Sequence, residues 1–384
     1  MKKTIITIVG GGASTYSLIA FLSRSNCEVR LLTSKPDLWS SLPQLKIIEQ
    51  GHSERIVQGK IDKVSDDYSL LIPGSDIIVL CMPVHQYYNA LEKTAPYVDK
   101  SKLVYIGTLY GQGGFNWMIK SLIERHNLRS AVYFSIGLLP WICRTEQYGK
   151  VGLNYGCKAR NIIALSDHEK FEHLNAVFLN DICNRWFGTG DFHLAENFLS
   201  LTLSVDNQII HPTRCYSLFV QFGGFWSQES DIPYFYKDYN EHSAEFLKKL
   251  DAEYSLIRQG IRSRYPEKNF DYMLDYLTLE RFSYDSDNTD VKESFQNSKT
   301  LSKIKPPVIR NGKEFSIDTA HRFFTDDIEY GLCIAKWFAT QLNIDTPFID
   351  EIIHWSTSTS ASITSLSGGL PANYGLFKLD EAID

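Results

Sequence analysis

The segment DNQIIHPTRC, residues 206–215, sets an asparagine and a histidine one helical turn apart and follows the histidine with proline. An imidazole titrates near neutral pH and gives or takes a proton readily, so His211 is a candidate acid–base group. On a helix, Asn207 and His211 share a face. Pro212 biases His211 away from helical geometry, so the helix is expected to end there and present the ring at a domain cleft, with the asparagine below it. A lone histidine is more often structural than catalytic, and it needs partners. The segment TAHRFFTDDIEYGLCIAKWF, residues 319–338, offers charged ones. Asp326, with Glu329 one turn on, reads as a capping box ahead of an apolar-periodic run, and Asp327 as an acid in a first helical turn. Arg322 has no local explanation of that kind.

The elements that position such groups begin at the other end of the chain. TIITIVGGGASTYSLIAFLSRSNCEVRLLTS reads as strand, glycine turn, helix and strand. Gly10, Gly11 and Gly12 give a tight turn whose backbone approaches a pyrophosphate, and the helix from Ser14 onward aims its free N–H groups there. Ala13, Ser14 and Thr15 complete the loop, with Thr15 where the dinucleotide fingerprint has its third glycine. After the second strand, an acid would mark NAD; Thr33, Ser34 and Lys35 stand there instead, and hydroxyls with a cation favour NADP(H) over NAD(H). Further strands follow in SDIIVLCMPVHQYY, KLVYIGTLYGQGG and AVYFSIGLLP. Alternation with helices predicts a doubly wound sheet, which places Met82, Pro83, Val84 and the Gly107–Gly114 loop near the cofactor.

From about Phe192 the pattern changes to helices with apolar positions every three or four residues, LAENFLSLTLSVDNQII being one. The expected architecture is an α/β N-terminal Rossmann-type doubly wound sheet over 1–190 and an all-α C-terminal domain over 191–384. A chain of 384 residues fits two such domains, and a net charge of −6 without a basic run argues against nucleic acid. No window approaches the roughly 18 to 20 apolar residues that span a bilayer. Seven dispersed cysteines without ligand spacing point to reduced cytoplasmic thiols and no metal.

Four pieces together resemble the opine dehydrogenases: VGGG, LLPWICRTEQYG (138–149), NQIIHP (207–212) and RFFTDDIEYGL (322–332). The glycine turn is common to many families; the other three, in this order and at these separations, are specific. The resemblance implies reduction by NAD(P)H of the imine formed between an amino acid's amino group and a 2-oxo acid, commonly pyruvate. It also implies a catalytic histidine at His211 paired with Asp327, an arginine for substrate carboxylate at Arg322, and a polar neighbour at Asn207. Two positions depart from the family pattern: Thr15 replaces a glycine or alanine, and Glu329 replaces the proline of Asp-Ile-Pro.

The residue types suit that chemistry. A carboxylate on one imidazole nitrogen fixes the tautomer and raises the ring's pKa, and an arginine fork suits a planar carboxylate. Arg144 is a second candidate anchor, with a structural ion pair as the equal alternative. Tyr216, Phe222, Phe225 and Trp226 are candidates for the amino-acid pocket or for core. The polar stretch 283–312 reads as a surface excursion, with a lid as the alternative. A β-hydroxyacid dehydrogenase or ketopantoate reductase would share the architecture but needs a lysine early in the helical domain, and none occurs between Lys170 and Lys237. A non-catalytic dinucleotide sensor has no reason to keep His211, Arg322 and Asp327 together. Small-molecule partners, as a monomer or homodimer, are expected.

Overall fold

The structure is a computed structural model that describes residues 3–49, 52–296, 302–359 and 378–383. The chain forms two compact units, Met1–Leu201 and Thr202–Asp384. The first is built on an eight-stranded sheet. Its central strand, Thr4–Val9, is a β-branched run that pairs in parallel with Cys27–Leu32 on one side and Ile77–Leu80 on the other. Val104–Thr108 and Ala131–Ile136 continue the parallel order. Arg160–Leu165 then joins antiparallel. Chain order reverses between Thr4–Val9 and Ile77–Leu80, and open α/β sheets hold ligands beyond the carboxyl ends at such a point.

The end of this unit falls later than the sequence pattern placed it. Asp191–Ala195 is a strand, parallel to Arg160–Leu165, and completes the sheet edge. The expected single helix LAENFLSLTLSVDNQII is therefore broken into this strand, a short helix at Leu199–Thr202, and a new start at Asn207. The break has a local cause. The Ser204 hydroxyl donates to the Tyr272 carbonyl and accepts from the Leu274 N–H, and Asp206 caps the next helix. These bonds compete with helix continuation.

A second sheet was not foreseen. Gln44–Ile47, Arg55–Gln58, Trp141–Gln147 and Val151–Cys157 form four strands in the order 2-1-4-3 of that listing. Helix Thr15–Leu22 is buried at every position, which is why its sequence lacks a polar face. The WICRTEQ segment is the edge strand of this sheet, and Trp141 packs edge-on against Phe21 with ring centroids 5.7 Å apart.

The second unit is mainly helical. Glu241–Arg264 is its longest helix, capped by Asn240 and burying Leu247, Leu250, Tyr254, Ile257 and Ile261. A small antiparallel sheet of Phe225–Trp226, Glu314–Ile317 and Val308–Asn311 accompanies the helices. The stretch 283–312 is more than a surface excursion: it holds helix Val291–Gln296, with Val291 and Phe295 buried, and the strand Val308–Asn311. Residues 297–301 of that stretch lie outside the described residues. No helix among the described residues is long and apolar enough to cross a membrane.

Candidate active site

The glycine turn sits where the sheet's chain order reverses. Gly10 has φ +114°, and a Cβ there would lie 2.5 Å from the Cys81 carbonyl oxygen. Only glycine fits both the conformation and the space. Thr15 stands where a third glycine is usual, and its hydroxyl donates to the Gly10 carbonyl at 2.9 Å, closing the turn by a side chain instead. Ser14 precedes helix Thr15–Leu22 without capping it, its hydroxyl lying 3.1 Å from the Cys81 thiol. The first N–H groups of that helix therefore carry no side-chain cap and suit an anion. Ala13 lies in the same loop and packs against the core of this unit.

Around Gly11 the surroundings suit a nucleotide. A Cβ there would lie 2.8 Å from the Tyr148 hydroxyl, 3.1 Å from Thr33 Oγ1 and 3.3 Å from Trp39 Nε1. Among the described residues the buried Trp39 indole N–H has no hydrogen-bond partner. A buried orphan donor over a glycine floor is what a polar ligand would complete. Ser34 is exposed, and Lys35 Nζ lies 5.7 Å from the Tyr148 ring centroid. Met82 reaches toward Gly10, Pro83 precedes a short turn of helix, and Val84 is buried. Trp39 and Tyr148 escaped the sequence reading, because no spacing links them to the glycines.

The proton-transfer candidates lie in the second unit. Helix Asn207–Phe222 starts at Asn207, whose N–H donates to the Asp206 carboxylate. It does not end at His211, as expected from Pro212, but runs through the proline to Phe222. Proline removes only the N–H that the Gln208 carbonyl would accept. Beyond it, the Thr213 hydroxyl donates to the Ile210 carbonyl at 3.2 Å. Asn207 and His211 thus remain a turn apart on one helix, Asn207 half-buried and His211 only 2% exposed.

His211 Nδ1 lies 2.8 Å from Asp327 Oδ2, across 116 residues of sequence. The ring stacks on Phe323, with centroids 3.5 Å apart and planes 16° off parallel, and meets Phe235 edge-on at 5.7 Å. Its Nε2 lies 3.3 Å from the Tyr236 hydroxyl. Burial pushes the Asp327 carboxyl well above the usual carboxylate range; Arg322 opposes this, and Asp326 and Asp206 add to it. With Nδ1 engaged by Asp327, Nε2 is the ring's other polar atom and faces the Tyr236 hydroxyl.

The local fold around Asp327 differs from a capped α-helix. Arg322–Thr325 is a short helix capped by His321, and Asp326 follows its end in helical geometry, so the capping box is absent. Asp327 leads into a five-residue π-helical turn, Ile328–Leu332, which continues as helix Cys333–Leu342. Such wide turns recur at functional sites. The Gln208 amide donates to the Tyr330 carbonyl at 3.2 Å and ties this turn to the histidine helix.

Arg322 begins the short helix, with its guanidinium carbon 5.2 Å from the Phe323 ring centroid. Among the described residues no carboxylate forms an ion pair with it. Arg144 lies on an exposed stretch of strand Trp141–Gln147 in the other unit, donating to the Cys143 carbonyl at 2.8 Å; the alternative ion pair does not form among the described residues. The aromatic candidates after the histidine resolve differently. Tyr216 packs among Phe246, Phe348 and Trp355, while Phe222 and Phe225 are exposed. The rings against His211 are Phe235 and Phe323 instead.

A profile of the alpha-helical domain of the NAD/NADP octopine/nopaline dehydrogenases matches residues 194–360. The opine dehydrogenase of Haliotis discus hannai is 26% identical, covering 92% of this chain and 90% of its own. The chain is opine dehydrogenase-like. The octopine dehydrogenase of Mizuhopecten yessoensis is 23% identical, over 95% of this chain and 92% of its own. An octopine dehydrogenase solved with NADH and L-arginine shares the fold, with a TM-score of 0.80 at 20% identity over 99% of this chain and 98% of that one. This opine dehydrogenase-like chain is an NAD(P)-dependent oxidoreductase. Two of its four signature pieces, VGGG and LLPWICRTEQYG, meet where Tyr148 covers Gly11, and the other two meet at His211 and Asp327.

Proposed function

We propose that this opine dehydrogenase-like enzyme joins an amino acid to a 2-oxo acid, pyruvate being the first candidate, and that His211 and Asp327 carry the proton transfers. The observation that carries the reading is the buried His211–Asp327 bond, with Arg322 at the start of the short helix just ahead of Asp327 and in no ion pair with a carboxylate among the described residues. Attack of the amine on the oxo carbon gives a carbinolamine. His211 donates a proton from Nε2 to the departing hydroxyl, water leaves, and an imine remains. Asp327 holds Nδ1 throughout and stabilises the charged ring. In reverse, His211 takes the proton from the secondary amine. Arg322, with Arg144 as a second candidate, binds substrate carboxylate as a fork, and Asn207 is a polar contact beside the histidine. Gly10, Gly11, Gly12, Ala13, Ser14, Thr15, Met82, Pro83 and Val84 hold the dinucleotide, which supplies the hydride when bound.

The test is a panel of amino acids with a 2-oxo acid and reduced dinucleotide. Dinucleotide oxidation that requires both substrates is expected. Equal oxidation with the 2-oxo acid alone would indicate a hydroxyacid dehydrogenase and sink the reading. Arg322→Met should raise KM for the 2-oxo acid about tenfold to a hundredfold while kcat changes less, the scale of a charge-assisted bond. An unchanged KM would remove Arg322 from the carboxylate site.

The dinucleotide reading favours NADP(H). Thr33, Ser34 and Lys35 follow the second strand, and Lys35 lies over the Tyr148 ring, whose hydroxyl reaches Gly11. Lys35→Ala should cut the NADPH-to-NADH preference in kcat/KM about tenfold. A ratio that stays at the wild-type value would show that no 2′-phosphate is read there.

A further inference from the structure

Among the buried cations that the mechanism leaves unused, one stands on the histidine helix. Arg214 lies one turn beyond His211 on the same helix and is 1% exposed. It forms no ion pair with a carboxylate among the described residues. Its Nε donates to the Phe235 carbonyl at 2.9 Å, and Nη2 donates to the Tyr234 and Asp238 carbonyls, each at 3.0 Å. Nη1 donates to the Ser243 hydroxyl at 2.8 Å. Burying a guanidinium is costly, and here three of its four hydrogen bonds go to one five-residue loop, 234–238. The loop also closes on itself, the Tyr234 N–H donating to the Asp238 carboxylate at 2.7 Å. Tyr236 lies at the middle of it, packed on Phe235 and Phe295, with its hydroxyl 3.3 Å from His211 Nε2.

We propose that Tyr236 is a positioning residue that holds the proton-exchanging nitrogen of His211 until a substrate oxygen takes its place, and that Arg214 holds Tyr236. A hydroxyl suits this task because it donates to the neutral ring and accepts from the charged one. Arg214 sits on the helix that carries His211, so one helix fixes both the ring and the loop that meets it. The inference rests on the reading of His211 as the acid–base group. The titratable or charged groups that bear on the pair include Asp327, with Asp326, Asp206 and Arg322 acting on it, and Tyr239, which interacts with both Tyr236 and Arg214.

Tyr236→Phe deletes the hydroxyl and keeps the ring. The charged imidazole loses the stronger bond, so its pKa should fall in the substrate-free protein by about half a unit to one unit. The pH profile of kcat/KM reports free enzyme and should move by that amount; the profile of kcat reports the substrate complex and should stay in place. Selective nitrogen-15 histidine spectra of the substrate-free protein should show His211 Nε2 shifted, with the signal assigned by its loss in His211→Gln. Arg214→Lys should give the same shift. An Nε2 resonance and titration unmoved in Tyr236→Phe overturn the proposal, whatever the activity. A loss confined to kcat overturns it too, since Tyr236 would then pass protons to substrate. Arg214→Lys with a wild-type resonance removes Arg214 from it, and if that variant does not fold, Tyr236→Phe alone decides. The spectra need no turnover, so a wild-type protein inactive on every substrate pair defeats the proposed function and leaves this test standing.

Discussion

His211→Gln and Asp327→Asn are each expected to lower kcat by about two to four orders of magnitude while the protein stays folded. The pair is joined at 2.8 Å and sealed from solvent, so each member depends on the other. Glutamine cannot exchange a proton. Asparagine keeps the shape of the aspartate but places an amide against Nδ1, where it neither fixes the tautomer nor stabilises a charged ring. Residues that act as a unit lose their contribution together, so the double variant should be little worse than His211→Gln alone. The measurement is kcat for all three variants, with circular dichroism and thermal unfolding to confirm folding. Wild-type rates in the single variants would remove the acid–base role. Losses that multiply in the double variant would show that the two residues act separately.

Gly10→Ala should weaken binding of reduced dinucleotide by about a hundredfold or more. Two effects combine. A φ of +114° is unfavourable for any residue with a Cβ, at about 1–3 kcal/mol. The added carbon would also lie 2.5 Å from a backbone oxygen at the end of the neighbouring strand, which cannot rotate away as a side chain could. The turn must open, and with it the approach of its N–H groups to a phosphate. Gly74 provides the control, since its φ of +75° carries similar strain but nothing lies within 4 Å of its Cβ position. Gly74→Ala should leave affinity unchanged. Fluorescence titration with the reduced dinucleotide compares the two, and equal affinity in wild type and Gly10→Ala would place the dinucleotide elsewhere.

Much of the N-terminal fold was legible because strand, glycine turn and helix are local patterns. The second sheet was not, because its strands come from two separated parts of the chain and no local pattern links them. At the site, His211, Asp327 and Arg322 stood out through motifs, but no periodicity states that residues 211 and 327 bond. Pro212 misled because a proline marks a boundary statistically, while Asp206 started the helix so late that the proline falls in its second turn. The capping-box spacing misled as well. Asp326 and Glu329 have the right separation, but the chain there is already helical from Arg322. Tyr236 carried no signal, since an aromatic residue in a loop is ordinarily packing.

The wide turn at Ile328–Leu332 gives the chain beside Asp327 one residue of slack. A π turn holds one residue more than an α turn, so it behaves as an insertion that the helix has absorbed. Deleting a single residue between Asp327 and Cys333 returns the stretch to regular winding and keeps Asp327 near its present side of the axis. Deleting a second residue leaves no slack and turns Asp327 about 100° around the axis relative to helix Cys333–Leu342. The length of this turn is therefore expected to tolerate the loss of one residue and not of two.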